Sequence, residues 1–531
     1  MITDFKHLVL SSMVLCSLSL GGCMKPISTQ PDTPQEVDPF EVVKSSRPLC
    51  TCDCQPDWAN YTETVGITWK RKYVTHGQVE GTGAFYITYG FRGDENGEEK
   101  VFFQQRWNNF RPDLSFHPYG ISMWVKGYKT NAGALRFVLL HDDQMQPDNP
   151  VVRQEYEIMA DENALRHEEW TRLCFKYEDF KPVGDGLPAM DLSKVIGFRF
   201  EFVNVDNKSF TGNQVFIDNI EQLTLYEPKY NKDARFNSIF VQLYDGYANT
   251  DWVTIFNDYR SVGINEVIIQ YATGYNTESY CTWYADSKLP WVTKSVSIID
   301  NMIAAAEKTG MNVRLGMYGG EYTMGYDMIL ERNKLIADEL VEKFGSSSAF
   351  TGWYITEEFY DGVYQWHQPS KRKELSRYIQ TVANYAKSRK NVDVAVAPAL
   401  WRGLPAALCG KWFEEIFKET PDVDILYLQD CAGRGPEVIT SPDVDLPNWY
   451  AEIKKACDAT GVKFGVDIES FIQCGSPNIP YQAKKWEDLS KQLYIAGLFT
   501  DYITNFSYAT FKLETKSYKD YKASLNLQSA E

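Results

Sequence analysis

Two glutamates stand at the ends of two strand-like runs, Trp353-Tyr354-Ile355-Thr356-Glu357-Glu358 and Phe464-Gly465-Val466-Asp467-Ile468-Glu469. A pair of carboxyl groups on separate rigid strands is what cleavage of a glycosidic bond requires. One protonates the leaving oxygen while the other attacks or stabilises the oxocarbenium-like centre. Strand periodicity separates neighbours within each run, because successive side chains point to opposite faces. Trp353 and Ile355 suit a face packed on helices, so Glu357 goes with them and Glu358 faces the other way. By the same test Phe464, Val466 and Ile468 pack outward, while Gly465, Asp467 and Glu469 point inward. Glu358 and Glu469 are therefore the expected catalytic pair. Asp467 is held in reserve, as is Glu357, which a bulge at the strand end would turn inward.

The elements that must position these residues follow from the pattern around them. From 236 onward, strand-like runs at 236–245, 265–272, 311–318, 350–358, 392–400, 424–431, 463–471 and 502–509 alternate with amphipathic segments. Among the latter are Ser295 to Thr309, Asp327 to Phe344, Lys371 to Arg389, Asn448 to Thr460, Ala483 to Leu498 and a last helix at 512–525. Parallel strands need helical crossovers and eight of them close a sheet, so residues 231–531 are expected to form a (β/α)8 TIM barrel. A doubly wound sheet is the alternative, but no GxGxxG or P-loop turn follows any strand. Residues 49–230 instead give short runs rich in Val, Phe, Tyr and Trp, such as Gly83 to Phe91, Tyr119 to Gly127, Leu135 to His141 and Gly197 to Val203. Gly, Asp and Asn turns separate them, the pattern of an all-β sandwich.

A barrel of this kind carries its site at the C-terminal ends of its strands. Inward polar residues are poor core choices unless they line a site or satisfy one another, and Gln242, Gln270, Arg314 and Gln429 are such residues. Arg314 either orients a carboxylate or forms a buried structural ion pair. Asp430, at the end of the sixth strand, is either a ligand for sugar hydroxyls or a loop cap. The loops after the strands are aromatic, with Trp283, Tyr284 and Trp291, then Tyr318 and Tyr322, then Tyr360, Tyr364 and Trp366, then Trp401. Such side chains suit the C–H faces of sugar rings. Trp401, Tyr318, Tyr360, Arg314, Asp430, Gln242 and Gln270 are accordingly the expected substrate-binding residues. His367 is the only histidine after residue 228, which removes a His-based zinc site and leaves few partners for a Ser-His-Asp triad. No cofactor is expected.

The chain has 531 residues, a formal charge of −17 and no basic run, which argues against nucleic acid and anionic lipid surfaces as partners. Leu8 to Leu20 is a short apolar run ending in Leu20-Gly21-Gly22-Cys23. It resembles the lipobox of bacterial lipoproteins, which implies cleavage before Cys23, acylation of its thiol and attachment to a membrane of a Gram-negative bacterium, the outer membrane in particular; an uncleaved anchor is the alternative. Residues 24–48, rich in Pro, Thr, Gln, Asp and Glu, read as a flexible tether.

Other resemblances add to this. The segments Trp170 to Phe175 with Phe180, Leu192 to Phe198 and Phe216 to Ile220 resemble the galactose-binding-like jelly rolls of carbohydrate-binding modules, which implies a glycan-binding or spacing role. In some of these a residue placed like Asp218 helps to hold calcium; a turn carboxylate capping backbone amides is the alternative for Asp218. Glutamates on the fourth and seventh strands resemble the acid/base and nucleophile of the retaining barrel glycoside hydrolases, which implies those roles for Glu358 and Glu469. That clan commonly has Asn before the acid/base, whereas Glu357 stands there in this chain. The run Gly352-Trp353-Tyr354-Ile355 leading to a glutamate is closer to glycoside-hydrolase-like barrel lipoproteins of unknown function. Chitinase-like barrels need aspartates before that glutamate, and positions 352–356 have none. The expected function is a lipid-anchored retaining glycoside hydrolase acting on a polysaccharide or oligosaccharide. The alternative is a non-catalytic glycan-binding surface lipoprotein.

Overall fold

The computed structural model describes residues 38–53, 69–75, 77–93, 98–107, 111–142, 151–275, 280–320, 325–359, 364–398, 404–433, 441–476 and 479–528. Cys23, the preceding apolar run, most of the expected tether, Tyr360 and Trp401 lie outside them.

Strands β1 (Ser45–Cys50), β2 (Trp69–Val74), β3 (Ala84–Phe91), β5 (Pro118–Lys126), β8 (Thr171–Lys176) and β11 (Phe210–Thr224) make one antiparallel sheet, in the order β2-β3-β11-β5-β8 with β1 also on β11. The second antiparallel sheet runs β4 (Lys100–Arg106), β10 (Val195–Val203), β6 (Ala134–His141), β7 (Gln154–Met159), β9 (Lys181–Pro182). One apolar core joins Ile87, Met123 and Ile217 of the first sheet to Phe137, Leu139 and Phe200 of the second. This is the two-layer solution for strands with one apolar face each. Ser45 to Pro48 were expected in the tether, yet they pair with Glu221 to Thr224. Their polar side chains are satisfied across the ladder: Ser45 Oγ lies 2.7 Å from Thr224 Oγ1, and Ser46 Oγ donates to Glu221 Oε1 at 2.8 Å. Composition alone therefore misplaced the domain boundary.

Beyond the sandwich, β12 (Ser238–Val241), β13 (Glu266–Ile269), β14 (Asn312–Gly316), β15 (Phe350–Ile355), β16 (Asp393–Val396), β17 (Ile425–Gln429), β18 (Lys463–Glu469) and β19 (Tyr502–Phe506) close into a parallel barrel, with β19 returning to β12. Helices α1 (Trp252–Ser261), α2 (Ile298–Thr309), α3 (Tyr326–Phe344), α4 (Pro369–Arg389), α5 (Ala406–Lys418), α6 (Pro442–Thr460) and α7 (Trp486–Ala496) provide the crossovers, and α8 (Lys516–Gln528) follows the last strand. Of these α1 and α5 have no counterpart among the segments named from the sequence. Gly310 and Gly461 end α2 and α6 with φ of 72° and 77°, a left-handed turn that costs glycine nothing. Alternation along the strands splits the apolar residues. Trp353, Ile355, Val466 and Ile468 join the core between barrel and helices, whereas Phe240, Ile268, Tyr354, Ala395 and Tyr427 fill the barrel interior.

Sandwich and barrel share buried polar contacts. Arg47 of β1 is 2 % exposed and pairs with Asp445 of α6, while also donating to the Asp113 carbonyl at 2.6 Å and to Gln222. Asp113 Oδ2 in turn accepts the backbone N–H of Ala406, the first residue of α5, at 3.0 Å.

Candidate active site

A cavity of about 520 Å³ opens where the barrel strands end. Gln242 and Tyr244 reach it from beyond β12, Gln270 and Tyr271 from beyond β13, and Glu358 from beyond β15. Gln429 ends β17, Asp467 and Glu469 end β18, and Phe506 ends β19. Glu358 and Glu469 thus come from the fourth and seventh strands to one space. Gln270 Nε2 donates to Glu358 Oε1 at 3.1 Å.

Glu469 is held from two sides. The backbone N–H of Gly433 donates to its Oε2 at 2.7 Å, and its own N–H donates to Asp430 Oδ1 at 3.1 Å. Glycine at 433 permits this approach, since a Cβ there would lie 2.9 Å from that same Glu469 oxygen and 2.6 Å from the Phe471 carbonyl. Asp430 is fully buried and is not a cavity residue. Its Oδ1 also accepts Ala432 N–H at 3.1 Å, its Oδ2 accepts Gln492 Nε2, and Lys484 Nζ donates to Gln492 Oε1 at 2.6 Å. Burial raises the Asp430 carboxyl and lowers the Lys484 ammonium, each opposed by the charge of the other. Asp430, placed by sequence among sugar ligands or loop caps, takes the second role and fixes the backbone that carries Glu469.

Asp467 lies in the cavity wall, and burial, then the negative charges of Asp430, Glu469 and Glu358, push its carboxyl well above the usual range. Glu357 faces the opposite side of the wall, as alternation requires. Its Oε1 accepts from Tyr378 Oη of α4, Asn333 Nδ2 of α3 donates to that Tyr378 oxygen at 3.0 Å, and burial raises the Glu357 carboxyl to about 7.

Other expected ligands sit elsewhere. Arg314 is turned into the lower barrel, pairing with Glu266 at 3.1 Å and donating to the carbonyls of Trp353 and Asp393. Gly352 makes room for its guanidinium, which a Cβ would overlap. Tyr318 is buried under Arg332, 5.0 Å from its ring centroid, and is absent from the cavity lining. Trp283, Tyr284 and Trp366 are likewise buried in the loop core, because an aromatic ring after a strand packs on a neighbouring helix as readily as on a ligand. The aromatic residues that do line the cavity include Tyr244, Tyr271, Tyr275 and Tyr481, none of which the sequence reading named. Tyr271 and Tyr275 stack with ring centroids 5.2 Å apart. The available signal was position: Tyr244 and Tyr271 follow inward-facing Gln242 and Gln270 by two residues and one. In the sandwich, Asp218 accepts the backbone N–H groups of Val79 at 2.7 Å and Glu80 at 3.3 Å on one oxygen and that of Asn219 at 2.8 Å on the other. It is the turn-capping carboxylate.

Residues 238–517, the barrel with its site, match the family described as Domain of unknown function (DUF4434). The chain belongs to this family. Similar solved structures include a Bacteroides thetaiotaomicron VPI-5482 protein provisionally assigned as an alpha-L-fucosidase, at 19% identity and TM-score 0.46, covering 56% of this chain and 95% of that one. The CBM22-1–GH10 modules of Clostridium thermocellum xylanase 10B are similar at 10% identity and TM-score 0.30, with 88% and 90% covered. A GH18 chitinase from Pseudoalteromonas aurantia is similar at 13% identity and TM-score 0.37, with 54% and 99% covered. No curated protein matches the chain.

Proposed function

We propose that the protein is a retaining glycoside hydrolase. The observation that supports this most is that Glu358 and Glu469, from the fourth and seventh strands, face one cavity at the mouth of the barrel. In this reading Glu358 protonates the leaving glycosidic oxygen as Glu469 attacks the anomeric carbon and forms a glycosyl ester. Glu358 then takes a proton from water, whose oxygen displaces Glu469 and releases the sugar with its configuration kept. The exposed tyrosines at the rim, Tyr244, Tyr275 and Tyr481, suit stacking on flanking sugar units.

The test is turnover on a panel of polysaccharides and aryl glycosides, with the anomer of the first-formed product read by proton NMR. Glu469→Gln is expected to abolish turnover while leaving glycan affinity nearly unchanged, because the amide keeps the shape of the carboxylate but cannot form the ester. Binding without turnover in the native protein would favour a glycan-binding protein instead, and equal activity of the native protein and Glu469→Gln would remove Glu469 from the chemistry.

The Leu20-Gly21-Gly22-Cys23 sequence supports anchoring of the protein to the outer membrane through lipid on Cys23. Radiolabelled palmitate should enter the native chain and not Cys23→Ala; equal labelling of both would rule this out.

A further inference from the structure

Among the described residues, two buried polar atoms in the wall of this cavity have no hydrogen-bond partner. Asp467 and Gln270 are each 1 % exposed, and Asp467 Oδ1 and Gln270 Oε1 are both left unpaired. Most buried polar groups are paired with protein or water, and these two, unlike the other buried atoms left without a partner among the described residues, belong to residues that line the cavity, where a ligand can supply their partners. Charge narrows the ligand further. Among the described lining residues there are three carboxyl groups, those of Glu358, Asp467 and Glu469, and no Lys, Arg or His.

We propose that Asp467 and Gln270 form the floor of the sugar-ring subsite, where they hold hydroxyls of an uncharged sugar, and that the subsite refuses sugars bearing carboxylate or sulfate. This rests on the reading of the cavity as a glycan site and adds to it the class of sugar. The two atoms are chemically complementary. Burial, then the neighbouring carboxyl groups of Asp430, Glu469 and Glu358, push the Asp467 carboxyl well above the usual range, which favours the protonated form that offers an O–H donor. The Gln270 carboxamide is fixed by its donation to Glu358, which leaves its oxygen free to accept. A sugar hydroxyl both donates and accepts, so it satisfies either atom. A uronate or sulfate group in that place can accept from Asp467 but cannot donate to Gln270 Oε1, and it adds a negative charge beside Glu469, with no cation on the described wall to offset it.

The experiment measures binding of methyl glycosides of neutral hexoses and pentoses, alongside the corresponding methyl glycuronides and sulfated methyl glycosides, to the full chain by calorimetry. Neutral glycosides are expected to bind, with their acidic counterparts about 100-fold weaker. Asp467→Leu and Gln270→Leu should each weaken the neutral ligand about tenfold, and Asp467→Asn, which keeps a donor, should weaken it less than Asp467→Leu. Thermal unfolding confirms that each variant is folded; if Asp467→Leu is not, Gln270→Leu and the sugar panel decide. Acidic glycosides that bind as tightly as neutral ones overturn the proposal, as does unchanged affinity in the folded leucine variants. Neutral glycosides that bind but are never cleaved leave this inference standing and remove the hydrolase reading, whereas preferential cleavage of glycuronides does the reverse. Failure of every glycoside to bind overturns both.

Discussion

Adjacent glutamates at the end of β15 live in different chemical worlds because the barrel wall runs between them. Glu358 opens to the cavity, where its separation from Glu469 by a substrate would let it act first as acid and then as base. Glu358→Ala is therefore expected to reduce turnover most on glycosides with poor leaving groups and least on activated aryl glycosides, with partial rescue by azide in place of the missing base. Equal loss on all leaving groups would deny it that role. Glu357 faces Tyr378 and Asn333 instead, and burial raises its carboxyl from 4.5 to about 7. The folded protein thus keeps a proton that the unfolded chain releases above 4.5. The resulting stability is fully present below that pH and is lost as pH rises through 7, a difference on the order of 3 kcal/mol. Glu357→Gln cannot ionise, so its stability relative to the native protein should grow between pH 5 and pH 8 in urea unfolding. Parallel pH profiles for the two proteins would contradict the burial argument.

At the level of elements, Glu469 is aimed by groups that never reach the cavity. Asp430 at the end of the barrel's sixth strand accepts the amides of Glu469 and Ala432 on one oxygen and Gln492 Nε2 of α7 on the other, and Gln492 Oε1 in turn accepts from Lys484. The direction of this chain is set by the carboxylate. With Asn at 430, the amide oxygen facing the two backbone N–H groups puts an NH2 against the NH2 of Gln492, and turning Gln492 over would point its NH2 at the Lys484 ammonium. Asp430→Asn should therefore lose about 1–3 kcal/mol of stability. As a positioning residue it should lower kcat by up to about 100-fold while KM changes little. A variant that loses stability but retains native kcat would show that the chain supports the fold without aiming Glu469.

Across the whole molecule, residues from Val42 onward form one compact unit. The Arg47–Asp445 pair joins β1 of the sandwich to α6 of the barrel with both side chains almost wholly buried. Removing one member of such a pair leaves the other charge uncompensated, at a cost of about 3–5 kcal/mol, whereas replacing both with apolar residues is often close to neutral. Arg47→Ala is thus expected to lower the unfolding temperature sharply and Arg47→Met with Asp445→Leu to recover most of the loss. Calorimetry would show this, and a near-native Arg47→Ala would mean that the two halves do not depend on this contact.

Local sequence determined the alternation that sends Glu358 and Glu469 inward and the repeat of eight strands and helices, because both follow from the period of side chains along one segment. The eight expected barrel strands contain the observed ones, the run at Gly83 to Phe91 covers β3, and that at Leu135 to His141 covers all of β6 but its first residue. Partners distant in the chain were not legible in that way. Ser45 to Pro48 looked too polar to order, and they order because Glu221 to Thr224 supply the other half of the ladder. Arg314 is open by sequence between a site residue and a buried structural ion pair, and Glu266, with the gap above Gly352, decides for the ion pair in the barrel interior. Tyr318 and Trp366 looked like sugar platforms, and the loop core buries them, while Tyr244 and Tyr275 take the rim. Residue type and spacing decide which face a side chain takes, but which buried polar group finds a partner, and which aromatic ring stays exposed, depends on contacts that only the closed barrel brings together.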